Sequence, residues 1–127
     1  MQGLHLTADL SQCQCDFACL TDATCLLQRC VDEVNAAGLQ VVNQLAHTFP
    51  ATDHGPGGVT ATVLLAESHL CVHTWPEQAG VTLDVYVCNF GADHSAKAHA
   101  LMEALLALFA PGQVSRQALQ RGGVATA

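Results

Sequence analysis

The chain has 127 residues, half of them hydrophobic and 12% charged, which suits one domain spanning residues 1–127 around one core. Its formal net charge is −7, and its only basic residues are Arg29, Lys97, Arg116 and Arg121. Four scattered cations build no basic patch, which argues against nucleic-acid binding, and no apolar run approaches the ~20 residues of a membrane span.

The first residues, Met-Gln-Gly-Leu-His, have neither the basic nor the long apolar stretch of a secretory signal, so the sequence predicts a cytoplasmic protein. Its seven cysteines are then expected as reduced thiols, and the odd number argues against a closed disulfide framework. A two-layer domain of this size leaves one sheet face with little to cover it, which points to a second subunit.

Gly3 to Leu10 alternates, with Leu4, Leu6, Ala8 and Leu10 on one side and His5, Thr7 and Asp9 on the other, as in a half-buried strand. Ser11 to Leu20 reads as a polar connection. Thr21 or Asp22 then caps a helix whose apolar residues, Leu26, Leu27, Cys30, Val31, Val34 and Ala37, follow helical spacing up to Gly38. Leu39 to His47 reads as a second strand, and the Pro- and Gly-rich run from Phe49 to Gly58 as a loop. Three strands follow at Val59–Ala66, His69–Trp75 and Val81–Cys88.

Asp93 or Ser95 caps a second helix with a buried stripe through Ala98, Leu101, Met102, Leu105, Leu108 and Phe109. Gln113 to Leu119 reads as an edge strand, and Arg121 to Ala127 as loose chain. Short links between the middle strands require antiparallel pairing. The expected fold is α+β: a two-layer sandwich with an antiparallel sheet and two helices packed on one face.

Alternation also sorts the two central strands by chemistry. Leu70, Val72 and Thr74 face one way, and His69, Cys71, His73 and Trp75 the other. In the next strand Val81, Leu83, Val85 and Val87 oppose Thr82, Asp84, Tyr86 and Cys88. A hairpin centred near Gln78 joins the apolar rows on one face and the reactive rows on the other. That register places Cys88 near His69 and Asp84 near His73. Strict alternation puts Ser68 on the apolar face, so a bend is expected at Glu67-Ser68.

The run Glu67-Ser68-His69-Leu70-Cys71-Val72-His73-Thr74-Trp75-Pro76-Glu77 resembles the self-cleavage segment of the prokaryotic S-adenosylmethionine decarboxylases, pyruvoyl enzymes of polyamine synthesis. Gly3-Leu4-His5-Leu6, His47-x-Phe49, Gly58-Val59-Thr60 and Leu83-Asp84-Val85-Tyr86-Val87-Cys88 extend the likeness over most of the chain.

The resemblance implies a proenzyme in which the Ser68 hydroxyl attacks the Glu67 carbonyl. The chain breaks into a β chain of residues 1–67 and an α chain of residues 68–127 that begins with a pyruvoyl group made from Ser68. It implies processing roles for Glu67, Ser68, His73 and Thr60, and catalytic roles for Ser68, His73 and Cys88. Cys88 matches the cysteine that returns a proton to the α-carbon after CO2 leaves. The substrate implied is S-adenosylmethionine, and the product an aminopropyl donor for spermidine.

The residue types suit that chemistry. Decarboxylating an amino acid needs an electron sink, which a carbonyl condensed with the substrate amine supplies. Aromatic faces attract a sulfonium cation, making Phe49 and Trp75 candidates for substrate contact. Glu77 and Asp9 are candidates for binding ribose hydroxyls or the cation. The family forms homodimers or higher homo-oligomers with active sites near subunit contacts.

Where many relatives carry an aromatic-Gly-aromatic run, this chain has Gln78-Ala79-Gly80, and Cys71 stands where small or hydroxylated residues are usual. Related chains of this fold take arginine or ornithine instead, and an unprocessed, non-catalytic homologue is the remaining alternative. Cys13, Cys15, Cys19, Cys25 and Cys30 lack paired C-x2-C spacing, so no metal is expected. Gly55-Pro56-Gly57-Gly58 lacks the Lys-Ser/Thr of a phosphate loop and reads as a flexible lid or turn.

Overall fold

The computed structural model of the chain describes residues 1–123. Six strands form one antiparallel sheet: β1 (Gln2–Ser11), β2 (Val41–Thr48), β3 (Val59–Leu65), β4 (Ser68–Trp75), β5 (Gly80–Cys88) and β6 (Gln113–Gly122). Their spatial order is β2-β3-β4-β5-β1-β6. Helices α1 (Ala18–Thr21), α2 (Ala23–Ala36) and α3 (Ser95–Phe109) lie against the sheet, α2 over β2 and β3, α3 over β1 and β5, and α1 beside β4.

This is the expected α+β sandwich with one short helix more than the sequence suggests. Helix α1 occupies the end of the stretch read as a plain connection. Asp22 explains its brevity: extended there, it ends α1 and caps α2, its carboxylate accepting from Thr24 N–H at 3.0 Å and Cys25 N–H at 3.2 Å.

Strand alternation sets the two faces. Leu4, Leu6, Ala8 and Leu10 of β1, Val59, Ala61, Val63 and Leu65 of β3, Leu70 and Val72 of β4, and Val81, Leu83, Val85 and Val87 of β5 are buried. They meet Leu26, Cys30 and Val34 of α2 and Leu101, Met102, Leu105 and Phe109 of α3. Burying such side chains contributes about 1.5–3 kcal/mol each, as an upper bound. The opposite face carries His5, Thr7, Thr60, Thr62, His69, Cys71, His73, Thr82, Asp84 and Tyr86, all partly or fully accessible.

Among the described residues, Thr74 is the one buried polar side chain. Its hydroxyl donates to Leu20 C=O at 2.7 Å and accepts from Val59 N–H at 2.8 Å. It therefore ties α1 to the start of β3 and the end of β4.

Two expectations need correcting. The β4–β5 hairpin pairs His69 with Tyr86, Cys71 with Asp84, His73 with Thr82 and Trp75 with Gly80. Cys88 is thus not opposite His69, nor Asp84 opposite His73. A tighter turn causes the shift: a 3₁₀ turn over Pro76–Gln78 and a left-handed Ala79 (φ 47°) close the hairpin one residue earlier than a centre near Gln78 requires. The resulting two-residue slip keeps each side chain on its face, so the reactive rows still share one side.

Strand β6 also runs past Leu119, pairing Arg121 with Gly3 and Gly122 with Gln2. Arg121 and Gly122 are therefore sheet residues and not loose chain. Gly123 follows the strand, its N–H donating to Met1 C=O at 3.1 Å, and residues 124–127 lie outside the described residues.

Candidate active site

The chemistry-bearing residues fall into two groups at opposite ends of β4. The first sits at the β3–β4 hairpin. Leu65 pairs with Ser68, leaving Ala66 and Glu67 as a two-residue turn. Glu67 takes φ 57°, a left-handed conformation that costs a residue with a Cβ roughly 1–2 kcal/mol. The break expected at Glu67-Ser68 is therefore this turn. Half-buried Ser68 accepts at its Oγ a hydrogen bond of 3.0 Å from the backbone N–H of Cys88, and Cys88 is buried. Glu67, Ser68 and Cys88 are thus brought together.

The second group sits at the far end of β3 and β4. Thr60 and His73 are cross-strand partners, and Thr60 Oγ1 lies 3.0 Å from His73 Nδ1. Beside them is a cavity of about 430 Å³ lined by Phe49, His54, Thr60, His73, Trp75 and Glu77, among others. The expected substrate residues Phe49, Trp75 and Glu77 are therefore gathered with the second group and not with Ser68. Asp9 is not in this cavity; it lies exposed on β1 opposite Thr82, beside a separate groove formed with the start of β6.

Ser68 and His73 do not meet within one chain. Five residues of strand separate them by about 17 Å. The sequence motif presents them as one set, but β4 holds them apart.

Of the two readings of the loop over the cavity, a flexible lid or a turn, the structure shows a turn. Phe49 N–H donates to Gly58 C=O at 2.9 Å, and Thr52 and Gly55 exchange backbone hydrogen bonds of 2.8 and 3.0 Å. A side chain at Gly57 would strike Phe49 O, and one at Gly58 would strike Thr74 O, both at 2.0 Å. Only glycine permits this approach of loop to strand.

Between the two groups, the open face carries a network that sequence reasoning missed. His5 Nε2 is hydrogen-bonded to Asp84 Oδ1, while the Arg121 guanidinium lies 3.0 Å from His5 Nδ1. Arginine only donates, so Nδ1 is the acceptor and Nε2 carries the proton given to Asp84. His69 completes a group of three with ligand atoms within 4.8 Å of one another. The strand pattern had placed His5 and Asp84 on the open faces of β1 and β5; only the long-range pairing of those strands, Thr7 with Asp84 and His5 with Tyr86, unites them.

Cys71 lies mid-face, its Sγ 3.6 Å from Thr62 Oγ1, and burial pushes its thiol pKa up against the opposing effect of that hydrogen bond. Burial likewise pushes Cys30 up to about 12, leaving it a small apolar side chain of the core. All seven cysteines are free thiols.

Sequence and fold both match a known family. The family model described as S-adenosylmethionine decarboxylase matches residues 4–122. The chain belongs to the S-adenosylmethionine decarboxylase family. It is similar to the S-adenosylmethionine decarboxylase proenzyme of Acidithiobacillus ferrooxidans, with 33% identity over 96% of this chain and 84% of that protein. The corresponding proenzyme of Persephonella marina is 35% identical over the same shares of the two chains. Among solved structures, the adenosylmethionine decarboxylase from Aquifex aeolicus superposes with a TM-score of 0.82 at 31% identity, covering 96% of this chain and 92% of that one. The family's fold and this fold are thus the same two-layer α+β sandwich.

Proposed function

We propose that this chain is the proenzyme of a pyruvoyl-dependent S-adenosylmethionine decarboxylase, one domain cut by its own residues into a β chain of 1–67 and an α chain of 68–127. The product is the aminopropyl donor for spermidine. The observation that carries the reading is the family match over 4–122 combined with Ser68 held against Cys88 at a left-handed turn. No observation favours arginine or ornithine as substrate.

The local structure fits a pyruvoyl group at position 68. The residue is a serine, follows a strained turn and has its oxygen fixed by the Cys88 N–H. In processing, Ser68 Oγ attacks the Glu67 carbonyl carbon, and the acyl group moves from nitrogen to oxygen as an ester. A base takes the Ser68 α-proton, and β-elimination expels the Glu67 carboxylate and leaves dehydroalanine. Water then replaces its amine as ammonia. His73 is the processing base, and the Thr60 hydroxyl steadies the developing oxyanion.

The pyruvoyl carbonyl supplies the electron sink for decarboxylation. Cys88 delivers the proton to the α-carbon once CO2 has left. Phe49 and Trp75 cover the sulfonium and its attached groups, and Glu77 binds ribose hydroxyls or opposes the cation.

His73 and Thr60 reach Ser68 only from a second copy. The open face exposes Leu45 (76%), Leu64 (46%) and Trp75 (41%) beside its polar rows, apolar area that a partner would cover. Two copies packed open face to open face, about a two-fold axis crossing β4 midway between residues 68 and 73, place Ser68 and Cys88 beside His73 of the partner subunit. The enzyme is thus a homodimer, or a larger assembly of such dimers, with each site shared. The described residues include no helix long and apolar enough to cross a membrane. With seven free thiols, a cytoplasmic location is the natural one.

Release of CO2 from carboxyl-labelled S-adenosylmethionine tests the substrate. Release from it alone supports the reading; release only from arginine or ornithine, or none from a cleaved chain, overturns it.

A further inference from the structure

Thr52 and Thr74 line the cavity beside Thr60 and His73 with hydroxyls already hydrogen-bonded, to His54 N–H and to Leu20 C=O and Val59 N–H; beyond them it contains one polar side chain to which neither processing nor the family resemblance gives a task. Thr60 and His73 are engaged with each other. Glu77 stands at the β4–β5 turn. His54 remains, on the loop between β2 and β3. Its backbone N–H donates to Thr52 Oγ1 at 3.1 Å, and the Thr52–Gly55 bridge closes the turn that bears it. The imidazole makes no hydrogen bond to any described residue, yet it lines the cavity together with Phe49 and Trp75.

The geometry points to His54 as a substrate-binding residue that hydrogen-bonds the nucleoside half of the substrate. This rests on the reading above, in which the reacting amino-acid end arrives at Thr60 and His73 with residue 68 of the partner subunit. The remainder of the substrate then extends from His73 along Trp75 and Glu77 toward Phe49 and the loop. Stacking rings cover the faces of a nucleoside, and they leave its edges and hydroxyls unread. A neutral imidazole offers one donor and one acceptor, which suits either. A cavity of about 430 Å³ holds a ligand of nucleoside size, more than an arginine or ornithine side chain needs. His54 thereby favours nucleoside-bearing substrates over plain amino acids.

Because His54 is exposed and its turn is held by Thr52 and Gly55, its replacement leaves the fold intact. The test uses the self-cleaved enzyme and 5′-methylthioadenosine, which carries the nucleoside without the reacting amino acid. Calorimetric binding to His54→Ala should be roughly 3- to 10-fold weaker than to the unaltered enzyme, the loss of one neutral hydrogen bond. His54→Asn, which keeps a donor and an acceptor, should recover most of it. On S-adenosylmethionine, His54→Ala should raise KM by the same factor with kcat within about 2-fold, and self-cleavage should be unchanged. Equal affinity of unaltered enzyme and His54→Ala for the thioether, with equal KM, would overturn the inference. A fall in self-cleavage with no change in affinity would also overturn it, since it would make His54 a processing residue. Failure of the unaltered, cleaved enzyme to bind the thioether at all would instead overturn the substrate reading beneath it.

Discussion

The two ends of β4 differ in what they hold and in what each can do alone. The Ser68 end has a nucleophile, a strained turn and a buried thiol, but no described imidazole hydrogen-bonded to the serine. The His73 end has an imidazole paired to a hydroxyl and a cavity of about 430 Å³. One strand about 25 Å long carries both, and its stiffness keeps them apart. Five residues are close in sequence and far apart in a strand, so the motif reads as one site while the fold holds its members at two separate places; the proposed function joins them across two copies.

The most severe way to break that comparison is to disable each end separately. Ser68→Ala alone and His73→Ala alone should each give an uncut chain on a denaturing gel, the first completely. If sites are shared as proposed, the two co-expressed variants should form hybrid dimers in which one of the two sites is intact. Random pairing then predicts cleavage of roughly a quarter of the sites. No cleavage in the mixture would mean that both groups act within one chain.

Cys88→Ala sharpens the division of labour within the first end. Its backbone N–H still donates to Ser68 Oγ, so cleavage should continue, while decarboxylation should fall by roughly 10²–10⁴-fold in kcat. Loss of cleavage together with activity would make the thiol a processing group. The smallest effect concerns the second end's support. Thr74→Val removes the hydroxyl that joins Leu20 C=O to Val59 N–H. Two buried backbone groups lose their partner, and urea unfolding should show a loss of about 1–3 kcal/mol. Unchanged stability would show that those groups find other partners.

Much of this was legible in the residues because alternation is local. Every strand of the sheet, both long helices and the separation of apolar from reactive rows follow from periods of 2 and 3.6. The Asp22 cap and the turn at Glu67-Ser68 are local as well. Three features were not legible. The β4–β5 register depends on a left-handed Ala79, and alanine gives no sign of a positive φ. The His5–Asp84–Arg121 network depends on β1 pairing with both β5 and β6, contacts 79 and 116 residues apart in sequence. The place of His54 in the cavity depends on a loop folded back by Gly57 and Gly58, whose missing Cβ admits the approach to Phe49 O and Thr74 O, a contact no local pattern announces.

The site residues drawn from the motif divide along the same line. Glu67, Ser68 and Cys88 converge, Thr60 and His73 converge with Phe49, Trp75 and Glu77, and Asp9 joins neither group. A linear motif records which residues a reaction uses and says nothing of how many chains supply them.

The intact-mass spectrum of the purified protein bears most directly on self-cleavage. Two polypeptides are predicted, residues 1–67 ending in a free carboxylate and residues 68–127 lighter by the mass of ammonia than a serine N-terminus gives. A single mass equal to the uncut chain, in a preparation that decarboxylates S-adenosylmethionine, would contradict the account.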